Sequence, residues 1–507
     1  FIGTFLFLKI DYRRSLFGYR PIEGVNIQNI KPEKLILDGQ QRLTSLYYVL
    51  YSPDIPLRDT KYPYAFYIDL RKLYEENIEE AIISERKERI KDVLNNVEKQ
   101  FEKKILPLTI LKGYGLWMKW NIQAHDYIRK SGDNEFKRIY PSIMSNININ
   151  KFLDFEVPVI EIGENVPIEQ IAEIFERINT TGVRLSIFDL MTARLRPYNI
   201  MLRQLWKKAQ ENYVYIRKLS DHPINIYVLQ TMALINGKSP KRSHLLKLSL
   251  DHFIDRWHEA VKYVNKAIER MMNYREGYGV IKSKLLPYVT MIPPLASLLA
   301  KVNTMRGDIR QYEKIDIWYW RSVFSARYAG ATDSTMYEDY KSVCKWLKND
   351  NEKISFNINL SELNLIEENK KSSAIYKGVM CLISLKGALD FHSGQPPEYS
   401  KLNDHHIFPI KFIENSLPQY KDLMHTVLNR TLLSEETNKW IIGKREPREY
   451  IRELKIKLGQ ERLMRILDTH FINEEAYEAL KSNDFENFIQ ARERYILKEI
   501  NERVKLS

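Results

Sequence analysis

The chain has 507 residues, 44% of them hydrophobic, a length that predicts about two to four domains with substantial cores. Its two cysteines, Cys344 and Cys381, argue against a disulfide framework and fit a reducing cytoplasm. The formal charge of +13, from 78 basic and 65 acidic residues, favours a polyanionic partner such as nucleic acid, and no apolar run is long enough to span a membrane.

Phe1 stands where a natural start would carry Met, so part of the N-terminus is expected to precede it. Residues 1–10 are apolar but too short for an anchor, lack a basic leader, and read as a buried strand. Lys34 to Leu37 reads as a second strand and Pro63 to Leu70 as a third. Between these two stands Asp38-Gly39-Gln40-Gln41-Arg42, followed by Leu43, Leu46, Tyr47 and Leu50 at helical spacing, which predicts a helix from near Gly39 to about Tyr51. A strand that ends in Asp-Gly and passes into a helix exposes free backbone N–H groups, a ready phosphate site. Arg42 would add a bidentate contact, Gln40 and Gln41 would position a water or ribose, and Asp38 would hold a magnesium ion. An ordinary capped turn with solvated polar residues accounts for the same letters.

Residues 75–104 carry mixed charge and read as helical, and Val157 to Ile162 as a strand. Ile171, Ile174, Phe175 and Ile178 form an apolar helical stripe that Asn179-Thr-Thr-Gly182 ends, and Ser186 caps the next helix. From Pro197 to about Gly387 only helices are expected, broken at Pro223, Pro240, Pro287 and Pro293-Pro294. Lys238, Lys241, Arg242 and Lys247 make a small basic cluster there, and no Gly-x-x-x-x-Gly-Lys-Ser/Thr occurs anywhere.

Past the loop Gly394-Gln-Pro-Pro397 comes Asp404-His405-His406-Ile-Phe-Pro409 and then Asn429-Arg-Thr-Leu-Leu-Ser-Glu-Glu-Thr-Asn438, with Lys444 six residues on. The order is strand, loop, strand and helix, with Ser434 as helix start. A ring nitrogen and an amide oxygen suit one hard divalent cation, and a second imidazole suits a base near neutrality. The alternatives are a surface histidine pair or a zinc knot, and the latter lacks any Cys-x-x-Cys. Arg445, Arg448, Arg452 and Lys455 follow as a basic face, and residues 461–505 read as helical again.

The segment from Asp404 to Lys444 resembles an HNH (ββα-metal) nuclease motif. The resemblance implies His406 as general base, Asn429 as the catalytic-loop brace and Lys444 as a basic residue at the active site. It further implies Mg²⁺ or Mn²⁺ on His405 and Asn438, with Asp404 competing with His405 for the first ligand position. Asp-Gly-Gln-Gln-Arg followed by Leu-Thr is similar to the ParB/sulfiredoxin-like N-terminal domain of GmrSD-type modification-dependent restriction enzymes, also carried by SspE-type phage-defence proteins. That resemblance implies binding and hydrolysis of a nucleoside triphosphate at Asp38, Gly39, Gln40, Gln41 and Arg42. An Ile-Pro-x-Tyr-Gln-Arg-like element usual before the first strand is missing here.

Together these readings predict an α+β, mostly helical protein. A ParB/sulfiredoxin-like domain is expected over 1–195, a helical spacer over 196–387 and an HNH module with a helical tail over 388–507. The expected function is a nucleotide-regulated, metal-dependent endonuclease acting on modified or phage DNA, cytoplasmic, with no membrane partner and a homodimer left open. A non-catalytic sensor of nucleotide and DNA, or an HNH ribonuclease toxin, would share these motifs.

Overall fold

The computed structural model describes all residues except 1–2, 11–18, 26–30, 57–59, 76–77, 168–169, 172–173, 175–185, 331 and 506–507. The chain divides into two compact units, residues 1–185 and 186–507. The expected Asn179-Thr-Thr-Gly182 helix end lies outside the described residues.

The first unit holds two small sheets among helices. In one, β1 (Phe5–Lys9) is central, antiparallel to β2 (Lys34–Asp38) with Phe7 opposite Ile36. On its other side it runs parallel to β6 (Val159–Ile162) with Phe5 opposite Val159. Leu6 and Leu8 are buried on one face and Phe5 on the other, so the central strand is covered on both sides at its start. In the other sheet β3 (Tyr64–Asp69) is central, flanked antiparallel by β4 (Ile82–Arg86) and β5 (Ile105–Pro107). The charged stretch read as helical therefore contains a strand. Ile82 and Ile83 favour a pleated partner, and pairing with Tyr67 and Ile68 outweighs the helix-forming Glu and Lys around them. Helices 87–94 and 97–103 follow it as expected. The core beneath is aromatic, with Phe101, Trp117, Trp120, Phe136 and Tyr140 buried together and the Trp120 indole donating to Gln100 Oε1 at 3.1 Å.

The second unit is helical around Ile292–Met305, whose residues from Ile292 to Ala300 are all buried. Pro293 and Pro294 do not break this helix. They stand in its first turn, where a missing N–H costs no hydrogen bond. The last helix, Phe485–Val504, returns to helix Ile309–Phe324, where Arg321 Nε donates to the Val504 carbonyl at 2.7 Å. Between them lies a two-stranded hairpin, β7 (Asn403–His406) antiparallel to β8 (Arg430–Leu433). Ser434 then caps a helical segment, its Oγ accepting from the Thr437 N–H at 3.1 Å. Residues Asn438–Ile442 continue it as a π-turn that Gly443 closes, its N–H donating to the Asn438 carbonyl at 2.8 Å. Strand, loop, strand and helix are thus all present.

Candidate active site

In the first unit β2 runs straight into helix Gln40–Tyr51 through Gly39, whose φ is +91°. Gly39 at the N-cap offers no side chain to the helix's first N–H groups. Arg42 NH2 donates to Asp38 Oδ2 at 2.7 Å, and its guanidinium lies 5.1 Å over the Phe5 ring. In this state Asp38 and Arg42 serve each other across the helix start, and an incoming phosphate would compete with the carboxylate for the guanidinium. Gln40 is half-buried and Gln41 exposed. The turn tolerates only glycine: a Cβ on Gly39 would stand 2.3 Å from Phe5 Cδ1. Gly39→Ala is expected to cost about 3 kcal/mol in the first unit through strain and overpacking. Faster amide exchange across residues 40–51 is the readout, and parental exchange there would contradict it.

In the second unit the hairpin gathers most of the remaining predicted residues. His405 sits opposite Thr431 and His406 opposite Arg430. Successive strand residues point to opposite faces, so His406 shares a face with Asp404, and both meet Arg430. His405 leaves on the other face, half-buried, and its Nε2 is fully shielded with no hydrogen-bond partner among the described residues. An imidazole nitrogen left bare in a native fold is costly unless something else binds it. Burial first, then Arg430, lowers its pKa, which keeps the ring neutral, the form a cation needs.

Asp404 is placed differently. Its carboxylate accepts from Lys371 Nζ at 2.8 Å, from the Tyr376 hydroxyl at 2.7 Å and from Arg430. Burial would raise its pKa, but these three donors hold it near about 2. Its oxygens are committed to protein donors, so the geometry favours His405 over Asp404 as a ligand. Asn438, half-buried at the start of the π-turn, presents a carboxamide from the helix that follows β8. Among the described residues no group of three His, Cys, Asp or Glu is arranged to hold a metal. One imidazole and one carboxamide are a sparse, neutral donor set that would leave most positions of a divalent ion to water and phosphate.

His406 is crowded. Arg430 NH1 lies against both ring nitrogens, 3.0 Å from Nδ1, and the exposed His425 approaches with Nδ1 3.3 Å from His406 Nε2. Burial, then Arg430 and His425, push its pKa down to about 3, so the ring is neutral at pH 7. Asn429 is fully buried and spans the loop before β8: its Oδ1 accepts from the Phe408 N–H at 2.8 Å, and its Nδ2 donates to the carbonyls of Phe408 and Met424. It ties the loop that follows His406 to the segment before β8 and touches no open space. Lys444 is exposed just past Gly443. A cleft of about 970 Å³ opens beside the helix, lined by Asn403, Ser434, Lys439, Lys282 and Lys401 among others. Part of the expected basic face is neutralised, since Arg445 pairs with Glu453 and Arg448 with Glu446.

Three buried groups that the sequence reading missed hold this hairpin. Asp390 accepts from Ser434 and Thr437 hydroxyls, fixing the start of the helix that carries Asn438. Arg492 donates to the carbonyls of Leu428, Arg430 and His470. His470 donates from Nε2 to the Leu389 carbonyl at 2.7 Å and accepts the Thr431 hydroxyl at Nδ1 at 2.6 Å, which fixes a neutral tautomer. Burial, then Arg492, outweighs the Leu389 contact and lowers the His470 pKa to about 4. Below pH 6.5 the unfolded chain binds this proton and the folded one does not, so stability is complete above pH 6.5 and falls as pH drops toward 4. The expected loss is about 3 kcal/mol. Melting temperature against pH should flatten in this window for His470→Gln, and an unchanged slope would contradict the assignment.

An α+β protein with a strand–glycine–helix turn in its first unit and a hairpin followed by a helix in its second is the class defined so far. Residues 1–196 match the family described as GmrSD restriction endonuclease, N-terminal domain. The chain is 35% identical to the uncharacterized protein MJ0686 of Methanocaldococcus jannaschii, over 99% of this chain and 91% of that one. It belongs to the same family as that archaeal protein, and its front carries the GmrSD restriction endonuclease N-terminal domain.

Proposed function

We propose that this chain is a metal-dependent DNA endonuclease of the restriction type, with the hairpin and helix of the second unit as its cutting site. The observation that carries the proposal is the bare, shielded Nε2 of His405 beside a helix bearing Asn438, within a strand–loop–strand–helix frame. His405 and Asn438 would hold Mg²⁺ or Mn²⁺, and a divalent ion supplies charge stabilisation to a phosphoryl-transfer transition state, worth several kcal/mol. Among the chain's own groups, His406 takes a proton from the attacking water, whose oxygen bonds phosphorus as the P–O bond to the leaving group breaks. Asn429 keeps the His406 loop in place, and Lys444 offers a cation to a flanking phosphate. The restriction description of the matched front domain supports DNA as substrate, with modified or phage DNA its best candidate.

In the front unit the uncapped helix start at Gly39 to Arg42 supports a nucleoside triphosphate site. Asp38 and Arg42 would exchange their mutual bond for phosphate and a magnesium ion, and turnover there would regulate cutting. Among the described residues no helix is long and apolar enough to cross a membrane.

The test is nicking of plasmid and of modified phage DNA with Mg²⁺ or Mn²⁺, with and without nucleoside triphosphate, and with RNA of the same sequence alongside. Metal-dependent cleavage of DNA that favours the modified substrate is expected. Equal cutting of RNA would favour a ribonuclease, and DNA binding without cutting under all these conditions would favour a sensor.

A further inference from the structure

Arg430 opens β8 directly opposite His406, and its side chain is almost wholly buried. Its NH1 lies against the His406 ring, while NH2 bonds the Asp404 carboxylate and main-chain carbonyl. Lys371 and Tyr376 donate to the same carboxylate, which thus has three protein donors. Arg430 Nε is buried and bonds nothing among the described residues. This arrangement does not serve a working base. A guanidinium facing the imidazole nitrogens occupies the lone pair that a water proton needs. An anion that draws NH1 away frees it.

We propose that Arg430 is a phosphate ligand of the cutting site, parked on His406 until a phosphodiester arrives. The inference rests on the nuclease reading of the hairpin. A phosphodiester oxygen competes for NH1, the imidazole nitrogen is released toward water, and Asp404 keeps the guanidinium tethered through NH2. Free protein is thereby held quiescent, and the same contact that binds substrate uncovers the base.

The test compares parent, Arg430→Ala, Arg430→Lys and His406→Ala in single-turnover nicking of a labelled duplex with Mn²⁺. Duplex affinity is measured in parallel across a salt series without metal. Arg430→Ala is expected to lose about 10²–10³-fold in rate and to lower the slope of log affinity against log salt by about one. Arg430→Lys should keep the slope and recover part of the rate. In the free protein, diethylpyrocarbonate should modify His406 several-fold faster in Arg430→Ala than in the parent, read by mass spectrometry against exposed His425. Because removing Arg430 strands the Asp404 charge, a paired Asp404→Asn, Arg430→Gln variant replaces the alanine variant if that one melts early. If His406→Ala is dead while Arg430→Ala cuts, binds and reacts as the parent does, Arg430 is not a phosphate ligand and the nuclease reading stands. If parent and His406→Ala are equally inert, the nuclease reading fails. The salt slope then decides separately whether Arg430 meets a phosphate, an unchanged slope meaning that it does not.

Discussion

Replacing His406 by alanine is expected to lower the rate of metal-dependent nicking by about 10²–10⁴-fold while leaving duplex affinity within about twofold of the parent. The size follows from the role. General-base removal leaves the phosphate contacts and the ligand residues in place and takes away only the acceptor for the water proton. The geometry makes the substitution selective as well. His406 is not a ligand candidate, its strand neighbour His405 faces the other way, and the Asn429 brace is made with backbone atoms. Burial and Arg430 keep the ring neutral in the free protein, so at pH 7 it needs only release from Arg430 to accept a proton. Equal rates for parent and variant would remove His406 from the chemistry.

Replacing Arg492 by leucine is expected to cost about 4 kcal/mol in the second unit. The guanidinium is fully buried, and its hydrogen bonds all go to carbonyl oxygens: Leu428 and Arg430 at 2.5 and 2.7 Å, and His470 at 3.1 and 2.9 Å. Burial without a carboxylate partner lowers its pKa to about 9, which records the cost of keeping the charge there. The leucine variant would leave three carbonyls without donors on either side of β8. Arg492→Lys should recover little of the loss, because a point charge cannot span three acceptors. Urea denaturation followed by far-UV circular dichroism is the readout. A variant within about 0.5 kcal/mol of the parent would mean that water or local shifts replace the clamp.

The sequence revealed the local frame well where local rules decide it. Periodicity placed helix 40–51 and strands at 34–38, 64–69 and 159–162 to within a few residues. Ser434 announced its helix by its own capping chemistry. Strand β4 was hidden because its flanks favour helix and only its partner β3 makes it extended. The proline pair was misread because proline breaks a helix interior and suits a helix start. At the site, Asp404, His405, His406, Asn429 and Asn438 were visible as a spacing. That Asp404 is consumed by Lys371, Tyr376 and Arg430 was not, since those partners come from a distant helix, the turn before it and a facing strand. Arg492 and His470 carried no motif at all. Buried charge and buried imidazole in a helical tail have meaning only once the fold brings the hairpin against them.

The most direct test of the metal centre is the Mn²⁺ concentration giving half-maximal nicking, measured for the parent, His405→Ala and Asn438→Ala. The account predicts saturable, chelator-sensitive cleavage by the parent and a shift of about tenfold or more in both variants. Cleavage with the parental metal dependence in both variants, or cleavage that survives complete removal of divalent ions, would contradict it.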